Sequence, residues 1–265
     1  MNKNELIKRF VQNQEEKNML ARVLDKLEAA ESKNILENTK FLNEREQDLA
    51  ERMLPECAQF RYLFHGGYES ASRKVLVFFP DYMNPEQAFQ GEENCLACIR
   101  AEYPADNELS HRDFLGSLLG CGIKREAIGD ILVGEGSADI VVLKEILPYL
   151  LVNFEMVARV KVHVGEITAA ELQVPEAKFR LIKDTVASLR LDNIASAGFA
   201  VSREKASAGI KGGKVALNSL ECTKADKLVS EGEVISWRGM GKIKLQQIGN
   251  QTKKGRTAIV VLRYL

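Results

Sequence analysis

The sequence predicts an α+β protein, on three observations. Residues 1–53 carry apolar positions at helical spacing, residues 95–165 alternate short apolar runs with two helical stretches, and residues 183–265 place four strand-like runs behind two short helices. The expected parts are a helical region plus β-hairpin at 1–80, a βαββαβ domain at 81–177 and a basic helix-and-strand domain at 178–265.

In the first part, Leu6, Ile7, Phe10 and Val11 recur at helical spacing, as do Met19, Leu20, Val23, Leu24 and Leu27, with charges on the other faces. Phe41, Leu42, Leu49 and Met53 predict one more helix before Pro55. The period then changes. Phe60–Phe64 and Lys74–Phe79 read as two strands of a hairpin, and Pro80, Asn84, Pro85 and Gly91 mark a loop.

The middle part gives a strand at Cys95–Tyr103 and a helix at His111–Gly120, with Ser110 as its N-cap. Strands follow at Ile131–Val133 and Ile140–Leu143 around the turn Gly134–Ser137, then a helix at Lys144–Phe154 and a strand at Arg159–Val164. This β-α-β-β-α-β order is the ferredoxin-like one, also used by RNA-recognition modules. Such modules stack bases on aromatic side chains of their central strands, and Ile140–Leu143 offers none. Residues 166–182, with Pro175, read as a junction.

The last part carries the clearest chemistry. The whole chain has 37 Lys+Arg and 37 Asp+Glu, but residues 183–265 hold 15 basic and 7 acidic side chains. The zero net charge is therefore the sum of a basic segment and an acidic remainder, which points to an anionic partner. Helices are expected at Leu191–Ala197 and Ser202–Lys211, and strands at Lys214–Leu217, Val234–Trp237, Lys242–Ile248 and Thr257–Leu262. Ser202 is placed to cap the second helix. Arg203 and Lys205 then fall in a first turn, where the helix dipole disfavours cations unless an anion is bound. Lys211-Gly212-Gly213-Lys214, Arg238-Gly239-Met240-Gly241-Lys242 and Thr252-Lys253-Lys254-Gly255-Arg256 are three basic turns on the same unit. Together they form the footprint of a surface for a phosphate backbone.

The run Arg190-Leu191-Asp192, Ser202-Arg203, Ala206, Ile210, Gly213, Val215, Asn218, Gly232, Ile235, Arg238-Gly239 resembles the S-four-type RNA-binding domain. Ser219 and Glu233 depart mildly from that pattern, where Gly and Asp are common. The resemblance implies RNA contacts from Arg190, Ser202, Arg203, Lys205, Lys211, Lys214, Asn218, Arg238 and Lys242, with Asn218 open to a turn-shaping role and Ser202 to a capping one. Lys253, Lys254 and Arg256 extend the same surface. The stretches His111–Gly116 and Gly122–Ile131, with the Thr252–Arg256 tail, resemble the YlmH-like bacterial proteins. That resemblance implies binding to structured RNA, both rRNA and tRNA, on the large ribosomal subunit during ribosome-associated quality control. Arg112, Lys124 and Arg125, with Gly120, Gly122 and Gly129 allowing tight turns, form a candidate second RNA contact; the alternative is a structural helix–loop–strand joint.

Other chemistries find less support. Cys95-Leu96-Ala97-Cys98 has zinc-ligand spacing, but no second pair follows, and residues three apart in a strand point to opposite faces. No metal and no cofactor are expected. Arg190-Leu191-Asp192 also occurs at the catalytic aspartate of pseudouridine synthases, yet here it lies inside the RNA-binding pattern. No glycine-rich nucleotide loop is present. The expected protein is non-enzymatic, with no catalytic residue. An RNA-modifying enzyme and a protein-interaction adaptor using the acidic N-terminal half remain as alternatives. Trp237 is expected to pack in its sheet, with base stacking as the alternative. The longest apolar stretch, Leu147–Val157, is interrupted by Pro148, Asn153 and Glu155 and is too short to span a bilayer. Without a membrane segment, and with five cysteines in no framework spacing, a reducing cytoplasm is the expected location.

Overall fold

The structure, a computed structural model, describes residues 3–58, 60–84, 89, 93–175, 179–253 and 255–264. Two compact units are formed, residues 1–175 and residues 176–265.

The first unit is built in four layers. Helices α1 (Lys3–Lys8), α2 (Gln14–Lys33) and α3 (Glu44–Met53) form the outermost layer. Asn13 and Asn43 start the two longer helices by accepting backbone N–H groups with their side-chain oxygens, and Glu46 completes a capping box with Asn43. The second layer is an antiparallel sheet of β1 (Glu37–Asn38), β3 (Val75–Phe79) and β2 (Arg61–His65), in that order. The hairpin is as expected, and β1 adds a strand to it. Phe41 and Leu42, expected on the third helix, instead precede it. Leu42 bridges Lys74, and the Phe41 amide donates to Glu126 O at 2.9 Å, so both are held in extended backbone and buried there.

The third layer is a four-stranded antiparallel sheet of β4 (Leu96–Glu102), β5 (Ile128–Val133), β6 (Ser137–Leu143) and β9 (His163–Ile167), in the order β5-β6-β4-β9. Helices α4 (His111–Gly120) and α5 (Leu147–Asn153) form the fourth layer, and a small two-stranded piece, β7 (Met156–Val157) with β8 (Val160–Lys161), follows α5. The last strand thus begins later than Arg159, and Lys144–Ile146 forms a short 3-10 turn ahead of α5. Ser110 starts α4 as expected, its N–H and hydroxyl both donating to Asp113.

Alternation along the strands explains the layering. Leu76 and Phe78 pack with the first three helices, while Val75, Val77 and Phe79 pack with Phe41, Leu96, Cys98, Val141 and Leu143. Ile99, Ile140 and Val142 pack on Phe114, Leu118 and Leu150. Strand β3 is therefore buried on both faces, as its unbroken run of apolar residues requires. The face of the four-stranded sheet that turns away from α4 and α5 is likewise covered, by β3. A buried carboxylate braces this sheet: Asp139 accepts from Arg100 Nε at 2.7 Å, from Arg100 Nη2 at 2.8 Å and from the Gln173 amide at 2.6 Å.

The second unit packs α6 (Leu191–Phe199) and α7 (Arg203–Lys211) on a six-stranded antiparallel sheet. Its strands are β10 (Phe179–Val186), β15 (Thr257–Tyr264), β14 (Gly241–Gln251), β13 (Val234–Trp237), β11 (Val215–Leu217) and β12 (Leu220–Glu221), in that spatial order. Strand β10 replaces the C-terminal end of the expected junction and pairs with β15 over its full length. Trp237 is core: it is 5 % exposed and meets Phe199 edge-on at 5.4 Å. Gly209 of α7 lies so close that a Cβ there would come within 2.3 Å of the indole, so only glycine admits the ring. Base stacking by Trp237 is thereby excluded.

Candidate nucleic-acid interface

The sequence-predicted cations gather along α7 and the turns at its two ends. Ser202 caps α7, accepting from the Lys205 amide at 3.2 Å. Arg203 opens the helix, and its unfavourable place at the positive end of the dipole is answered by Asp192 of α6. Asp192 is buried, and its Oδ2 accepts from Arg203 Nε at 3.1 Å and Nη2 at 3.0 Å. The same carboxylate takes Arg190 Nε and Nη2, each at 3.2 Å. One buried anion thus holds two guanidiniums whose side chains stay 37 % and 55 % exposed. The arrangement fixes the direction of both while leaving donors available to a phosphate.

At the other end of α7, the turn Lys211–Lys214 lies beside Arg238, whose amide donates to Lys214 O at 2.9 Å. Gly239 and Gly241 adopt φ of 85° and 98°, which lets the β13–β14 turn fold tightly enough to hold Arg238 there. Eight residues of helix separate Arg203 from Lys211, about 12 Å at 1.5 Å per residue. Among the described residues, no carboxylate pairs with Lys205, Lys211, Lys214, Arg238 or Lys253, and all five are exposed. Lys242 lies over the Tyr264 ring at 5.9 Å.

Arg256 lies at the Arg203 end. It donates to Thr185 Oγ1 at 3.0 Å and also to Thr185 O. A cleft of about 500 Å³ is lined by Arg203, Arg256, Asn193 and Ser196 among others, so the β14–β15 turn and the start of α7 share one concave surface. Asn218 shapes its turn. It adopts φ 49°, donates to Glu233 and accepts from the Val234 amide. Lys254 lies outside the described residues. Lys224 and Lys227 are exposed cations outside the predicted set, in the loop whose Lys227 O accepts the Leu191 amide. Asp192 was also missed as an organising group; its spacing two residues after Arg190 at a helix start was the available signal.

The candidate second contact divides. Arg112 and Lys124 are exposed. Arg125 instead turns inward, donating to Ile128 O at 2.6 Å and Gly129 O at 3.3 Å. Burial, and then the neighbouring Arg73, pull its pKa down to about 10. Asp130 completes this joint by accepting from Tyr68 Oη, Ser72 N and Arg73 N at 2.8, 2.6 and 3.1 Å. Cys95 and Cys98 are free thiols that burial lifts to about 11, and among the described residues no group of three or more His, Cys, Asp or Glu could hold a metal. Among the same residues, no helix is long and apolar enough to cross a membrane.

Comparison with known proteins matches both regions. Residues 91–171 match the family described as a putative RNA-binding domain in YlmH, and residues 189–235 match the S4 domain. A relative from Bacillus subtilis (strain 168), the ribosome-associated protein quality control protein P2, is 31 % identical over 228 residues, covering 85 % of this chain and 86 % of that protein. The chain belongs to the YlmH-like family of S4-domain proteins. A solved YlmH-like structure, the cell division protein ylmH from Streptococcus pneumoniae, covers 62 % of this chain and 98 % of its own at a TM-score of 0.52 and 19 % identity, a likeness of fold. In this YlmH-like chain, the α6–α7 face with Arg190, Asp192 and Arg203 falls within the S4 match, and Arg125 and Asp130 fall within the YlmH match, while Asp130's partners Tyr68, Ser72 and Arg73 precede it.

Proposed function

We propose that this chain is a non-enzymatic clamp for structured RNA, acting on ribosomal RNA and tRNA at the large ribosomal subunit during ribosome-associated quality control. The observation that carries the reading is the line of exposed, carboxylate-free cations along α7 and its flanking turns, with Arg190 and Arg203 aimed by the buried Asp192. Phosphate contacts of this kind set affinity and orientation, while tight turns let the backbone approach a folded RNA. The relative named for ribosome-associated quality control supports the setting. We read the chain as three working parts, 1–80, 81–177 and 178–265, with the middle one ferredoxin-like. The strand order β5-β6-β4-β9 supports that fold. Its open sheet face is taken up by β3, so RNA binding there falls to Arg112 and Lys124 at most, and the main site is the S4 face. The setting is cytoplasmic.

Sedimentation of cell extract through a sucrose gradient tests this function. Co-migration of the protein with free large subunits, lost on Lys211→Glu/Arg238→Glu, is the expected result. Migration as free protein only would overturn it.

A further inference from the structure

Strand register sets two arginines against each other in the second unit. Arg180 of β10 is the direct cross-strand partner of Arg263 of β15. Their Cβ atoms therefore lie about 4.5–5.5 Å apart on one face of the sheet. That face is the one bearing the helices. Arg263 Nη1 donates to Phe199 O at 3.5 Å, at the end of α6, and its guanidinium lies 5.8 Å from the centre of the Phe199 ring. Ile182 and Val261, two residues away on each strand, belong to the core beneath α6 and α7. Like charges directly opposite in an antiparallel pair are destabilising. Among the described residues, no carboxylate pairs with either arginine, and no hydrogen bond holds Arg180, which is exposed. Strands β14 and β15 carry no acid, and neither does the chain from Ile194 to Val201. The one acid on this face of β10, Asp184, stands four residues from Arg180, about 13 Å along the strand and beyond the screening length of physiological salt. Its Oδ1 accepts from the Thr185 amide at 2.6 Å.

We infer that Arg180 and Arg263 form a phosphate subsite for structured RNA, which carries the gripping surface of α7 and its turns across to edge strand β10. The register puts the pair at the right end of the unit. Arg263 is opposite Ile243, two residues into β14 from Gly241, and so sits at the end of the sheet that bears the Arg238–Lys242 turn. Across the sheet, β15 is two strand spacings from β13, about 10 Å. Side chains link the two places. Trp237, beside Arg238 in the chain, meets the Phe199 ring at 5.4 Å, and Phe199 in turn carries Arg263. Two guanidinium forks a few ångströms apart can donate to one phosphate from two sides, the geometry in which arginine binds such groups best. The bound anion would offset a repulsion that the described residues leave unanswered. Phe199 already holds Arg263 in place, so little side-chain freedom remains to be lost on binding. Both arginines lie outside the S4 match at residues 189–235, so the subsite is an addition to that module. The inference rests on the reading of this chain as a binder of structured RNA, but on residues that reading does not use.

Two measurements on the full-length protein test it together: affinity for a stable RNA hairpin by fluorescence anisotropy, and the unfolding midpoint reported by Trp237 fluorescence. Arg180→Glu turns the like-charged pair into an opposite-charged one. It is expected to leave the midpoint equal or higher and to weaken hairpin binding by about tenfold or more, the scale of a lost charge-assisted hydrogen bond. Arg180→Gln, which adds no negative charge, is expected to weaken binding by about fivefold and to make its salt dependence shallower by about 1 in logarithmic slope, one phosphate fewer. Parent affinity in both variants would overturn the subsite and leave the clamp standing. Weaker binding accompanied by a lower midpoint would also overturn it, because the pair would then be structural. So would protection of the parent by millimolar inorganic phosphate as large as that by the hairpin, since the site would then serve a free anion. Failure of the parent to bind the hairpin at all would sink the clamp and the subsite together.

Discussion

Replacing Asp192 with alanine separates two roles that a buried carboxylate can have among cations. If it aims Arg190 and Arg203, its loss weakens RNA binding; if it merely consumes their charge, its loss strengthens it. The stability cost follows from exposure. Exposed ion pairs contribute about 0–1 kcal/mol, and breaking a buried pair costs about 3–5 kcal/mol. Here the carboxylate is buried while the guanidiniums are 37 % and 55 % exposed and can turn to water once released. The expected loss lies between these limits, about 2 kcal/mol, which lowers the midpoint of a unit this size by about 10 °C. Trp237 provides the assay, because it is the one tryptophan in the chain and lies in the core of residues 176–265. Its fluorescence on heating reports that unit. RNA affinity of the folded variant is expected to fall about fivefold, less than the roughly 1.5–3 kcal/mol lost when a charge-assisted hydrogen bond disappears. Tighter binding by Asp192→Ala, or an unmoved midpoint, would refute the reasoning.

Two further outcomes are expected in residues 1–175. Asp130→Ala removes the acceptor of three hydrogen bonds and is expected to destabilise that unit by about 2–3 kcal/mol, since bonds to a charged acceptor are the strong class and this site is partly open to water. Circular dichroism would show the loss, while Trp237 fluorescence and RNA affinity stay as in the parent; a fall in affinity of the folded variant would return this joint to the RNA surface. Cys95 and Cys98, with folded pKa values raised to about 11, hold a smaller thiolate fraction than a free cysteine throughout the neutral range, and that fraction grows only as pH rises toward 11. Native-state alkylation at neutral pH, followed by mass spectrometry, is expected to be roughly a hundredfold slower at both than at an unperturbed thiol. Alkylation at the rate of free cysteine would contradict the burial described.

Elements with a clean period were legible in the sequence. The faces of α2 and α3 show it, and so does the unbroken apolar run of β3. Strand β10 was not legible, because it is an edge strand with exposed residues on both sides, and Phe179, Leu181 and Ile182 then show no alternation to read. Phe41 and Leu42 misled for the opposite reason: two adjacent buried residues in a paired, extended segment look like the start of an apolar helical stripe. The site divides along the same physical line. Lys205, Lys211, Lys214 and Arg238 were legible because an exposed cation in a turn stays where its sequence neighbours put it. Arg125 was not, since its guanidinium is taken by the carbonyls of Ile128 and Gly129, and the bend that presents them depends on tertiary packing. The grip of Asp192 on Arg203, eleven residues on, depends likewise on how α6 packs against α7.

The salt dependence of affinity for a folded ribosomal RNA fragment tests the central claim most directly. With about five phosphates neutralised by the exposed cations, the logarithm of the association constant should fall with the logarithm of salt concentration at a slope of about −4. Removing Lys211 and Arg238 together should make that slope shallower by about 2 units. A slope near zero in the parent, or one that the double variant leaves unchanged, would contradict the account of α7 and its turns as the phosphate-gripping face.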